Sequence, residues 1–238
     1  MRIRTATVAT VAALAVAAPA GIAFAGTPAG DSPAVSATNK KPAQLTVKGY
    51  IKALKADKSP AAAKTLKAFK KLNDGKKQYA FVKLLQNRDV YEAVVGGTKG
   101  TLKNGTRTST KQLNSPVKVT SSTVVAKNDK SGLRVVTFTV TERIYDIPVT
   151  SERISVRYTL KGKKKITDPS ASTKITNTNK AITIKAPKTT PVRVKGTTVS
   201  GHSTIKATGT VKSFGKGVTK KADNRIGLSS YSASIVTR

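Results

Sequence analysis

Apolar residues fall at helical spacing in three stretches after residue 42, and then switch to strict alternation. Leu45, Val47, Tyr50, Ile51 and Leu54 predict a helix from about Ala43 to Ala56. Ser59 followed by Pro60 is a helix start, with serine as the N-cap and proline at the first helical position. The segment that follows sets Ala62, Leu66, Phe69 and Leu72 on one face, and Asn73-Asp74-Gly75 ends it. A third helix is predicted from about Lys77 to Val95, with Tyr79, Val82, Leu85 and Val90 turned inward. Lysines occupy the outer faces. Basic amphipathic helices can lie on anionic membranes, but core packing is the simpler reading of these short, tryptophan-free helices.

Gly96 to about Ser115 reads as a polar loop. Beyond it, Val117, Val119, Val124 and Val125 suggest a strand. Val136, Phe138, Val140 and Ile144 alternate with polar residues, as do Ile154, Val156, Tyr158 and Leu160. Period two over that length predicts half-buried antiparallel strands. Asp146 to Thr150, with Pro148, supplies the connection, and Lys161-Gly162-Lys163 the next turn. From Pro169 the chain is dominated by Ser, Thr, Lys and Gly. Short strand-like pieces recur at Ala181–Ala186, Pro191–Lys195, Ser203–Phe214 and Ile226–Val236.

Helices followed by long strands predict an α+β fold. The strands VVTFTVTERIYDI (135–147) and ISVRYTLKG (154–162), with the closing KKKITD (163–168), make residues 43–168 resemble the NTF2-like, or cystatin-like, modules of secreted actinobacterial proteins. That resemblance implies N-terminal helices packed on a curved antiparallel sheet. No tryptophan is present where many such modules carry one on the closing strand. The expected organisation is then a leader over 1–25, a flexible linker over 26–42, the NTF2-like unit over 43–168, and a basic β-rich region over 169–238.

The leader reading comes from the first 25 residues. Arg2 and Arg4 precede an Ala/Val/Leu stretch, Pro19 and Gly21 break it, and Ala23-Phe24-Ala25 offers small residues to a signal peptidase. Cleavage is expected between Ala25 and Gly26, leaving a secreted chain.

Charge changes the picture most. The chain holds 44 Lys and Arg against 11 Asp and Glu, a formal +33. Residues 169–238 alone hold 13 basic residues against one acid, Asp223. Such an excess repels itself, and polyanions relieve the repulsion. It also keeps a protein soluble with no partner at all. The densest clusters are Lys161, Lys163, Lys164 and Lys165, and Lys220, Lys221 and Arg225. These are the candidate contacts for anionic cell-wall polymers or other extracellular polyanions. Sequence-specific nucleic-acid recognition is not expected from a chain that is only 5% aromatic and lacks stacking platforms.

Candidate chemistry is sparse, and no cofactor is expected. With no cysteine, thiol catalysis and zinc–thiolate sites are excluded. The single histidine, His202, sits in Ser-Gly-His-Ser, which reads as an exposed turn. Glu142, Asp146 and Glu152 are the best carboxylates for acid–base work, though pairing with Arg143, Arg153 or Arg157 is the simpler explanation. Gly96-Gly97-Thr98-Lys99-Gly100-Thr101 lacks the spacing of a nucleotide-binding loop. The expected function is non-enzymatic: binding at the cell wall or cell exterior through a basic surface. An antibacterial or toxin-like role and a small-molecule-binding or catalytic NTF2-like role are the alternatives.

Overall fold

A computed structural model describes residues 41–162, 164–187 and 190–238, which form one compact unit. Four helices come first: α1 (Val47–Ala56), α2 (Pro60–Lys70), α3 (Gly75–Leu85) and α4 (Arg88–Glu92). Each begins at a side-chain cap. Thr46 Oγ1 accepts from the Gly49 amide at 3.0 Å, and Ser59 Oγ from the Ala62 amide at 3.2 Å. Asn87 accepts from the amides of Asp89 and Val90, which splits the expected third helix into α3 and α4. The caps satisfy amides that the first helical turn leaves unpaired. Tyr79, expected inside, is 63% exposed; Val82, Leu85 and Val90 face the core as expected, joined by Phe81 and Tyr91.

The strands are β1 (Gly96–Thr101), β2 (Gly105–Asn114), β3 (Val117–Asn128), β4 (Leu133–Ile144), β5 (Ile147–Lys161), β6 (Lys165–Asn177), β7 (Ile182–Lys185), β8 (Val192–Lys195), β9 (Thr198–Gly209), β10 (Val218–Ile226) and β11 (Ser230–Thr237). One sheet is the meander β2-β3-β4-β5-β6. The other runs β1-β11-β10-β9-β7, with β8 also on β9. All pairs are antiparallel.

The fold therefore corrects the α+β expectation. Strands make up 54% of the described residues and helices 21%, and helices do not fill the concave side of a curved sheet. The inner face of β3, β4 and β5 packs instead on the inner face of β9, β10 and β11: Phe138, Val140 and Ile154 share a cluster with Ile205, Ala222 and Ile235. The supposed loop 96–115 supplies two of the strands. Its glycines, threonines and lysines carry no apolar alternation because β2 lies at a sheet edge and is almost wholly exposed. The boundary drawn at 168–169 falls inside β6, and residues from both sides of it build the same sandwich.

The core has three segments along the strands. At one end, the helices cap the sandwich around Tyr50, Phe69 and Phe81, whose rings meet at 5.1–5.7 Å between centroids. The middle segment lies between the sheets. The far end holds Val136, Val156, Tyr158, Val199 and Ile226. Asn179 ties the helical end to the sheets, donating from Nδ2 to the Leu85 carbonyl at 2.9 Å. None of the described helices is long and apolar enough to cross a membrane.

Candidate functional site

Between the helical and middle segments of the core the apolar packing is interrupted. Glu142 lies on β4 in phase with Phe138, Val140 and Ile144, so the pleat turns it inward. Glu152 on β5 is in phase with Ile154 and Val156, and Lys220 on β10 with Val218 and Ala222. All three side chains are completely buried. Glu142 pairs in register with Thr150, and Val140 with Glu152, so the two carboxylates are diagonal neighbours on one sheet face.

Lys220 comes from the opposite sheet. Its Nζ donates to Glu152 Oε1 at 3.2 Å and Oε2 at 3.4 Å. Nζ also lies over the ring of Tyr91, 3.7 Å from the centroid. The Tyr91 hydroxyl, delivered by α4, donates to Glu152 Oε1 at 2.5 Å. Glu142 Oε2 accepts from Thr150 Oγ1 at 2.9 Å, while its Oε1 has no hydrogen-bond partner among the described residues.

The electrostatics follow from burial. Desolvation pushes the Glu142 carboxyl up to about 7, against the opposing pull of Thr150 and Lys220. Burial draws Lys220 below the ordinary lysine range, and the Glu152 carboxylate counters it. The Tyr91 phenol is driven far up by desolvation and by Glu152, so it remains a donor. The arrangement holds a lysine amine, a facing carboxyl and a second carboxyl that exchanges its proton near neutrality. Arg143, Arg153 and Arg157, the expected partners of these acids, lie in the opposite strand phase, while Asp146 sits in the β4–β5 turn, where Lys118 pairs with it at 2.9 Å.

His202 is not in a turn. It lies on β9 opposite Asp223 of β10, with Ser200 two residues before it on the same face. Its Nδ1 contacts Asp223 Oδ1, and its Nε2 is 3.1 Å from Ser200 Oγ. The order serine–histidine–aspartate resembles a hydrolase relay. However, β9 is paired on both sides here, to β8 and β10, and the His202 amide donates to the Pro191 carbonyl. The strand's own amides are thus committed to its neighbours rather than aimed at a developing oxyanion. The chain of contacts fixes the imidazole on the surface. Among the described residues no three His, Cys, Asp or Glu side chains group as a metal site.

The outer face around His202 is basic. One row crosses five strands as Lys99, Ser232, Arg225, Ser200 and Arg193. Lys221, Lys206, Lys185 and Lys195 flank it, all exposed, and Lys185 stands directly opposite Lys206. The outer face of the other sheet is rich in hydroxyls, with Thr110, Thr120, Thr141, Ser151 and Thr176 in one row across all five strands. Arg153 and Lys174 pair beside that row.

The predicted cluster residues separate accordingly. Lys161, Lys164 and Lys165 are exposed at the β5–β6 turn, at the end away from the helices, with Lys161 opposite Lys165. Lys221 and Arg225 lie on the basic sheet face. Lys220 does not belong with them: the strand alternates, so it points into the core and pairs with Glu152. Lys163, Ala23, Ala25 and Gly26 lie outside the described residues. Arg193, Lys99 and Lys206 form no cluster in the sequence, because they are far apart in it and meet only through strand pairing. No protein-family model, curated protein or solved structure matches this chain.

Proposed function

We propose that this chain is a secreted, non-enzymatic protein that binds anionic polymers at the cell wall or cell exterior through its basic surface. The observation that supports the reading is the outer face of β8, β9, β10, β11 and β1. There Arg193 and Arg225 flank Ser200, Lys99 continues the row, and Lys185 opposes Lys206. Like charges directly opposite one another destabilise a sheet. A polyanion laid across the face would neutralise them and relieve that cost. Asp223 and His202 are the exceptions on the face, and they pair with each other.

Binding of this kind is long-ranged, weakly selective and screened by salt. Repeated phosphates or carboxylates along an extended polymer fit a flat row better than a small molecule does. Arginine forks at the two ends of the Arg225–Ser200–Arg193 segment suit bidentate contacts to such groups.

The test is binding of the purified chain to isolated cell walls with and without teichoic acid, across a salt series. The expected result is polymer-dependent binding that falls steeply with salt. A variant carrying Arg193→Glu and Arg225→Glu loses most of that binding, and a variant reversing Lys161 and Lys165 shows how much the β5–β6 turn adds. No binding of the wild-type chain at low salt would overturn the reading.

A further inference from the structure

Lys220 and Glu152 meet where water is excluded, one from each sheet, and neither side chain has any exposed surface. Nζ stands almost equally far from the two carboxyl oxygens, 3.2 and 3.4 Å, so the nitrogen faces the carboxyl group as a whole. The Tyr91 ring beneath the nitrogen and the Tyr91 hydroxyl on Glu152 Oε1 hold both partners in place. A nucleophile and an electrophile fixed in contact by a folded core have a very high effective concentration. A second carboxyl, Glu142, lies one step along the same sheet face with an unpartnered oxygen. Such an orphaned buried acceptor is costly in a structural site, and it is suited to carrying a proton.

We propose that Lys220 and Glu152 condense after folding into an amide that covalently joins β10 to β5. The step balances without any oxidant, reductant or co-reactant. Proton transfer within the buried ion pair gives a neutral amine and a neutral carboxyl, a change that burial favours. The Nζ lone pair then forms a bond to Glu152 Cδ. Glu142 takes a proton from the nitrogen and passes a proton to the departing hydroxyl. The C–O bond breaks, one water leaves, and Glu142 returns to its starting state. Burial holds the Glu142 carboxyl at about 7, so both of its forms are populated near neutral pH. Loss of water into bulk solvent and replacement of two buried charges by a neutral amide both drive the reaction forward. The product ties the two sheets across 68 positions of sequence in a chain that has no cysteine to do so.

The experiment is mass spectrometry on the folded full chain, followed by proteolysis and tandem sequencing of the peptides. The wild-type chain is expected to be lighter than its sequence by one water, with a branched peptide joining the Glu152 and Lys220 segments. Lys220→Met carries the full mass. Glu142→Gln, checked for folding by circular dichroism, is expected to form the link about a hundredfold more slowly. Wild-type protein that is folded, incubated at neutral pH and still carries its full mass overturns the proposal, whatever the variants do. Linkage at the wild-type rate in Glu142→Gln overturns the role given to Glu142.

Discussion

Lys220 of one sheet and Glu152 of the other meet at 3.2 Å with no water-exposed surface on either side chain. Breaking such a pair from one side leaves an uncompensated buried charge, which is far more damaging than removing both. Between chains of full mass, before any amide has formed, Lys220→Met is expected to lower the unfolding free energy by about 3–5 kcal/mol. Lys220→Met combined with Glu152→Leu is expected to recover most of that loss, because the site then joins the apolar segments on either side of it. Urea unfolding of full-mass wild type, both single variants and the double variant measures the coupling. Additive losses in the double variant would show that the two side chains do not act as a pair.

Glu142 makes stability depend on pH. Its carboxyl is held at about 7 in the folded chain against an ordinary value near 4.5, so the folded state keeps the proton longer than the unfolded state. Stability from this group is complete below about 4.5 and falls as pH rises to about 7, by roughly 3 kcal/mol at most. Glu142→Gln removes the ionisation. The variant is expected to be more stable than wild type at pH 8, and the difference should shrink toward pH 4.5. Thermal melts across that range test it; equal slopes for the two proteins would contradict the assignment.

How these acids and the lysine come together was partly legible in the sequence. The period-two pattern that turns Phe138 and Val140 inward also turns Glu142 inward, and the same phase applies to Glu152 beside Ile154. The neighbouring arginines offer pairings by adjacency in sequence, but the pleat sends them to the opposite face. Lys220 was masked by Lys221: two adjacent lysines look like one surface cluster until strand alternation sends them to opposite sides. The helices are legible from apolar spacing and, for α2, from the Ser59 cap, whereas the continuous spacing from Lys77 to Val95 hides the break that the Asn87 cap makes. The sandwich is not, because β1 and β2 are edge-type strands of glycine, threonine and lysine whose place is fixed by partners far along the chain. The basic row has the same origin, since Lys99, Arg225 and Arg193 become neighbours only through pairing with β11 and β9.

The β4–β5 turn stores strain that can be relieved. Ile144 pairs with Ile147, leaving Tyr145 and Asp146 as a two-residue loop with φ of 48° and 63°. Both angles are those of a hairpin turn that prefers Asn-Gly. Non-glycine residues in this region cost about 1–2 kcal/mol each. Asp146→Gly is expected to raise stability by about 0.5–1 kcal/mol. The gain is smaller than the strain because the exposed contact to Lys118 is lost. A lower melting temperature in Asp146→Gly would place more weight on that ion pair than its exposure suggests.

The two sheets approach closely at Gly201 on β9. A Cβ there would stand 2.6 Å from Ala171 Cβ of β6 and 2.8 Å from Val156 Cγ2 of β5. Glycine is needed at this position for space, not for its backbone angles, since the strand is regular on both sides. Gly201→Ala is expected to cost about 1–3 kcal/mol by forcing the sheets apart. Because Ala171 supplies the nearest atom, Gly201→Ala with Ala171→Gly is expected to recover part of the loss, while Val156 keeps the rest. The same displacement carries a second consequence. Ser200 and His202 flank Gly201 on the outer face, so a shift of β9 disturbs the spacing of Arg193 and Arg225 across Ser200. Gly201→Ala is therefore expected to weaken polyanion binding as well as stability, and the double variant to recover part of both together. Lost stability with unchanged binding would show that the basic row tolerates movement of the strand beneath it.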